Sequence, residues 1–192
     1  MKRTLLLLFT CLLAGLAAAQ TSSLKRAVAR YAKVHRVEAT TVRTVYSAAK
    51  GKSTTARGAF FMTSPDKVNI TVNGGKDQLT MNGDIFTVTM RGKKHTTSAK
   101  KNVQMAALQQ VLCYIMTGGK KGNINRSDIS ISQSGHFVTV TIKSATSKKK
   151  RRQLFSSVIL SIDSRNSEIK SMRMNQRGNN YTNYEFSNYK FE

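Results

Sequence analysis

The sequence predicts a mainly β protein, an antiparallel sheet curled around helices as a closed barrel or a half-barrel. Three observations predict it. Between Arg57 and Met90 four short runs alternate apolar and polar residues, and turn chemistry ends each run. Residues 128–186 carry further alternating runs of the same kind. Between the two groups lies one uncharged, apolar stretch of helical length, Asn102–Thr117. Eight to eleven strands laid flat would expose two edges, and curling the sheet hides them.

The N-terminus stands apart from this pattern. Lys2-Arg3, the apolar run Leu5–Leu16 and the small residues Ala17-Ala18-Ala19 read as the three parts of a secretory signal peptide over residues 1–19, cut before Gln20. Cys11 lies inside the apolar run, and Leu8-Phe9-Thr10 ahead of it is a poor lipid-attachment signal, so no lipid anchor is expected. No later stretch reaches the roughly 18 apolar residues of a membrane span. Residues 20–192 are expected to form a single exported, soluble domain with its own core. Only Cys113 remains in that domain, so no internal disulfide is possible. Losing Lys2 and Arg3 lowers the net charge from +23 to +21. Such a charge attracts polyanions: anionic lipid head groups, lipopolysaccharide or nucleic acid.

The elements follow in order. Thr21–Val37 reads as an amphipathic helix, with Leu24, Ala27, Val28, Tyr31, Val34 and His35 on one face and Lys25, Arg26, Arg30, Lys33 and Arg36 filling most of the other. Val42, Thr44 and Tyr46, spaced by two, mark a first strand over Thr40–Ala49. A second runs from Thr54 to Thr63 and ends at the Ser64-Pro65-Asp66 turn. Val68, Ile70 and Val72 lead to Asn73-Gly74-Gly75. Leu79 and Met81 lead to Asn82-Gly83, and Phe86, Val88 and Met90 to Arg91-Gly92. Lys93–Lys101 reads as a polar, basic connection. Asn102 caps the apolar helix and Gly118-Gly119 stops it. A helix without charge over this length is expected to be buried on most of its surface, enclosed by the sheet. Strands resume over Asp128–Gln133, His136–Lys143, Leu154–Ile162, Ile169–Asn175 and Tyr181–Phe186.

Enzyme chemistry finds little support. His35, His95 and His136 have no Cys, Asp or Glu at metal-ligand spacing, so no zinc site is expected. Cys113 sits in the apolar helix, where burial raises a thiol pKa and makes it a packing residue. The acids are scattered singly, no serine-type triad is recognisable, and the paired glycines are turn and cap residues. No catalytic residue, metal or cofactor is expected. The basic clusters lie in loops, above all Lys148, Lys149, Lys150, Arg151 and Arg152, which could contact an anionic membrane or another polyanion. Nucleic acid is the weaker choice, because no repeated pairing of arginine with aromatics accompanies the charge. Seven methionines on predicted strands or in the apolar helix suit an adaptable apolar pocket or a Met-rich core.

Several motifs carry a resemblance to a known family. Arg57-Gly58-Ala59-Phe60-Phe61-Met62 runs into Ser64-Pro65-Asp66-Lys67, and Met81-Asn82-Gly83-Asp84 is followed by Phe86. The apolar helix comes next. Leu160-Ser161-Ile162-Asp163, Ile169-Lys170-Ser171-Met172 and Tyr184-Glu185-Phe186-Ser187-Asn188 follow it. In this order, over roughly 24–191, the chain resembles the periplasmic carriers of outer-membrane lipoproteins, the LolA-like family. The resemblance implies an unclosed antiparallel barrel enclosing a helical lid, and an N-terminal helix beside it. It implies a monomeric carrier in the periplasm that binds lipoprotein acyl chains, or another acylated lipid, in a hydrophobic cavity. An inner-membrane release complex would load it and an outer-membrane acceptor would unload it. The pocket would draw on Phe60, Met62, Ile70, Val72, Met81, Phe86, Val88 and Met90 from the meander, and on Leu108, Leu112, Ile115 and Met116 from the lid. Well-studied members hold the lid shut with an arginine just before the turn proline; this chain has Ser64 there. The rival reading is an exported polyanion-binding module that works through its basic loops.

Overall fold

The computed structural model describes residues 20–90, 92–144 and 155–192. The expected signal peptide (1–19) and the basic run Lys148–Arg152 lie outside them. Within them, eleven strands form one antiparallel sheet: β1 (Arg36–Ser47), β2 (Lys52–Thr63), β3 (Lys67–Val72), β4 (Asp77–Asn82), β5 (Ile85–Met90), β6 (Lys93–Ser98), β7 (Ile129–Ser134), β8 (Phe137–Lys143), β9 (Ser157–Asp163), β10 (Glu168–Asn175) and β11 (Tyr181–Phe191). The helix α1 covers residues 20–27, and α2 is Val103–Met116. The strand order is β6-β5-β4-β3-β2-β1-β11-β10-β9-β8-β7, so β1 is central and the sheet is not closed into a barrel.

This order explains where α2 must go. β6 and β7 are the two opposite edges, and the chain between them has to cross from one to the other. An apolar helix making that crossing is covered only if it lies in the concavity. Leu108 and Leu112 of α2 share a seam with Phe60, Val68, Ile70 and Leu79 on one arm of the sheet and Leu160, Ile169, Met172 and Phe186 on the other. One core cluster joins the helix to both arms. Register shifts between Glu38 and Thr40 in β1 and between Ile169 and Ser171 in β10 help the sheet to curl.

The helix ends are built as the sequence predicts. The Asn102 side-chain oxygen accepts from the backbone N–H of Gln104 at 3.0 Å and of Met105 at 3.2 Å. Gly118 follows the C-terminus at φ +61°, and a Cβ there would stand 2.5 Å from Ala32 Cβ. The glycine therefore both stops α2 and lets it close on the N-terminal segment.

Three expectations need correction. The N-terminal helix does not reach Val37: it ends by residue 27, a 3₁₀ turn covers Ala29–Lys33, and β1 begins at Arg36. Sheet pairing captures the segment, because the N–H groups of His35 and Arg36 donate to the Glu192 carbonyl and Val37 pairs with both Met62 and Phe191. Lys93–Ser98 is not a connection but the edge strand β6, hydrogen-bonded along β5. The first strand starts and ends earlier than the expected Thr40–Ala49: β1 is Arg36–Ser47, with Val37, Ala39, Thr41 and Arg43 on its buried face and Val42, Thr44 and Tyr46 half-buried on the other. The expected burial of α2 over most of its surface holds: nine of its fourteen residues are buried, while Val103 is 56% exposed and Cys113 half-buried.

Candidate functional site

The inward face of the meander follows from register. Leu79 pairs with Val88 and Met81 with Phe86 across β4 and β5. Val88 in turn pairs with His95, Phe86 with Thr97 and Met90 with Lys93 across β5 and β6. Residues directly opposite in an antiparallel ladder share a face. Leu79, Met81 and Phe86 are buried, so this whole column set faces the concavity.

A cavity of about 400 Å³ opens there, within the roughly 300–1,000 Å³ usual for small-molecule sites. Leu79, Phe86, Val88, Met90, Met105, Leu108, Phe155 and Met174 form its apolar wall. His95, Thr96, Thr97, Asn102, Gln176, Thr182 and Tyr184 supply its polar groups. It lies between the N-terminal half of α2, the β4–β6 arm and the β10–β11 arm.

The twelve pocket residues expected from the sequence fall into four groups. Leu79's neighbours Phe86, Val88 and Met90, together with Leu108, line this cavity. Phe60, Ile70, Leu108 and Leu112 line the seam under α2, which encloses only about 10 Å³. Met62 and Met116 meet at a second small space beside Tyr31 and Val37. Val72, Met81 and Ile115 are buried without lining a described cavity. Thus α2 closes the seam between the arms with this cavity beside its N-terminal half, and a second opening of about 800 Å³ lies at the β7 edge, lined by Lys25, Ile124, Arg126, Ile129 and Ile131 among others. The sequence reading missed Leu79, Met105, Phe155 and Met174 of the apolar wall, and all seven polar residues that line it. Leu79, Met105 and Met174 carried a signal, since each lies on the apolar face of its element; the polar residues carried none.

A buried ion pair stands behind this end. Arg43 Nη2 donates to Asp77 Oδ2 at 2.7 Å, with side chains 11% and 5% exposed. In strand order β2 and β3 separate the two residues, a span of roughly 14 Å in a flat sheet. Curling shortens that span, and the pair ties the arm across the concave face. Arg43 Nε is buried with no partner. Arg43 also reaches Tyr184, whose hydroxyl is pushed up mainly by burial and pulled back in part by the arginine.

The lid meets the proline turn through a sulfur. Cys113 Sγ donates to the Pro65 carbonyl at 3.1 Å, the contact this chain makes beside Ser64. Burial, then the nearby Asp66 carboxylate, pushes the Cys113 thiol up, so it stays a donor. Elsewhere on α2, Gln104 is 2% exposed, and neither its amide nitrogen nor its amide oxygen has a hydrogen-bond partner. Among the described residues no cluster of His, Cys, Asp and Glu could hold a metal ion, and no helix is long and apolar enough to cross a membrane.

Comparison with known proteins places these features in a family. No curated protein matches the chain. Solved structures resemble it at low identity. A LolA superfamily protein from Nitrosomonas europaea is 9% identical over 89% of this chain and 92% of its own, at TM-score 0.40. A domain described as an outer membrane lipoprotein-sorting protein, from Vibrio parahaemolyticus, is 9% identical over 92% and 93%, at TM-score 0.43. The lipoprotein LppX of Mycobacterium tuberculosis is 13% identical over 90% and 95%, at TM-score 0.35. A family model, that of the outer membrane lipoprotein carrier protein LolA, matches residues 32–192, from the end of the N-terminal segment through all eleven strands and the lid helix. The chain belongs to the LolA family of outer membrane lipoprotein carrier proteins.

Proposed function

We propose that this protein carries acyl chains through the periplasm, holding them between the half-barrel and α2. The observation that carries the reading is the apolar cavity beside the N-terminal half of α2, continuous in chemistry with the seam the helix covers. Each buried methylene is worth about 0.8 kcal/mol, so one long acyl chain gains roughly 10 kcal/mol gross. The open cavity receives the first part of a chain. Displacing α2 exposes Phe60, Ile70 and Leu112 to receive more. One feature lowers the cost of that displacement: the closed position buries the unpartnered Gln104 amide. Handover to an acceptor then needs only a difference in affinity, with no covalent step and no catalytic residue.

On this reading residues 1–19 are the cleaved signal peptide and residues 20–192 the mature, monomeric carrier. Its cargo is a lipoprotein or another acylated lipid, loaded by an inner-membrane release complex and passed to an outer-membrane acceptor. The pocket residues are those expected from the sequence, joined by Leu79, Met105, Phe155 and Met174.

The test is organic extraction of the purified protein for mass spectrometry, together with titration by a fluorescent fatty acid. Co-purified lipid and saturable binding are expected. Val88→Glu places a charge in the apolar wall at a half-exposed position, where the fold tolerates it. It should weaken binding by about tenfold or more while the melting temperature holds. Leu112→Asp, in the packed seam, should abolish binding but also lower stability. Unaltered binding in Val88→Glu would move the site elsewhere.

A further inference from the structure

We propose that the cavity selects amphiphiles with an anionic head group, a phosphate or a carboxylate, which Lys93 and His95 hold at its mouth. The inference rests on the carrier reading and adds the chemistry of the ligand's head.

The argument begins with the inward column of β6. On β4 and β5 the residues facing the concavity are apolar almost throughout. On β6 the corresponding positions are Lys93, His95 and Thr97. Lys93 stands opposite Met90 and His95 opposite Val88, and both Met90 and Val88 line the cavity. His95 lines it directly. A lysine on an edge strand often serves only to block edge-to-edge pairing. Lys94, on the opposite face, suffices for that. Lys93 and His95 instead point to the side where the cavity opens, and both are exposed.

The charges nearby favour an anion. Asp77, the inward carboxylate at the start of β4, is taken up by Arg43 at 2.7 Å and so is not free to neutralise Lys93. No ion pair is formed by Lys93 or His95 among the described residues. An apolar wall ending in a cation and a ring N–H donor fits a molecule with the same sequence of chemistry, an apolar tail and then an anion.

Calorimetric titration of the purified full chain with two lipids of the same palmitoyl tail tests this. Palmitoyl-lysophosphatidylglycerol should bind about three- to tenfold tighter than 1-palmitoylglycerol, which has no phosphate, the gain expected from two exposed contacts to one anion. Lys93→Gln combined with His95→Gln should bring the ratio to about one by weakening lysophosphatidylglycerol binding, with the melting temperature unchanged. Lys94→Gln should leave the ratio as it is. Inorganic phosphate at millimolar concentration should displace neither lipid.

Equal binding of the two lipids by the native protein would overturn the head-group inference alone. So would a ratio that survives the double substitution. If Lys94→Gln lowers the ratio as much, net charge and not this pair of residues is responsible, and the inference falls. Displacement by phosphate would point to a free-anion site and also overturn it. If neither lipid binds, the carrier reading fails and this inference fails with it.

Discussion

Arg43 is the residue whose position departs furthest from what its type suggests. It is 9% exposed, on the concave face of the central strand, and it is held there by Asp77. Losing one partner of a buried pair strands the other charge away from water. Arg43→Met should therefore cost about 3–5 kcal/mol, and Asp77→Leu a similar amount, whereas the double substitution should recover most of that loss. Denaturant unfolding of the four proteins measures the cycle. Additive losses would mean that the two residues do not act as a pair. The sequence did not make Arg43 legible. Its neighbours Val42, Thr44 and Tyr46 alternate convincingly, and an alternation rule assigns the apolar set inward, so the arginine reads as solvated. The concave face of β1 is in fact lined by Val37, Ala39, Thr41 and Arg43, because the inside of this sheet is not uniformly apolar at the cavity end. Cys113 shows the same limit. Its helix is apolar, but its own side of that helix meets a turn carbonyl rather than the core.

Legibility varies with what holds an element together. The helix α2 was readable at both ends, because a capping Asn and a stopping Gly are local signals with local causes. The strands β3, β4 and β5 were readable because one face is buried, which forces alternation. The edge strand β6 was not, since its sequence KKHTTS has no apolar face. Gly92 and the Thr pair were its only sequence signals. The N-terminal helix was overextended because its apolar spacing continues through Val34, yet pairing with the C-terminal strand outweighs the helical propensity of residues 34–37. Gln104 gives the element-scale prediction. A buried amide with both atoms unpaired penalises the closed lid by about 1–3 kcal/mol. Gln104→Met keeps the volume and removes that penalty. It should raise stability by about 1–2 kcal/mol in denaturant unfolding and slow uptake of a fluorescent fatty acid in stopped flow. A variant with raised stability and unchanged uptake would mean that opening α2 does not limit entry.

At the scale of the whole molecule, two properties divide the work of a carrier. On the carrier reading proposed above, the concavity supplies affinity through apolar area, which is indifferent to salt, and the basic excess of the mature chain, a net +21 (+23 less Lys2 and Arg3), supplies attraction. Attraction of this kind acts on encounter with an anionic membrane and is screened beyond roughly 10 Å at 0.1 M salt. The two properties should therefore separate under mutation. Lys148, Lys149, Lys150, Arg151 and Arg152 form the densest basic run in the chain. Each basic residue close to an anionic surface contributes about 1 kcal/mol, so replacing all five with Gln should weaken co-sedimentation with phosphatidylglycerol vesicles by up to about a thousandfold, and by about tenfold if only one or two of them reach the surface. Cavity affinity for palmitoyl-lysophosphatidylcholine should change by less than about twofold, because a neutral net head leaves only tail burial to be measured. Raising salt should reproduce the first effect in the native protein and again spare the second. If the five-residue variant lost lysophosphatidylcholine binding as well, the basic run would be part of the lipid site itself, and the division between a dry cavity and a charged surface would not hold.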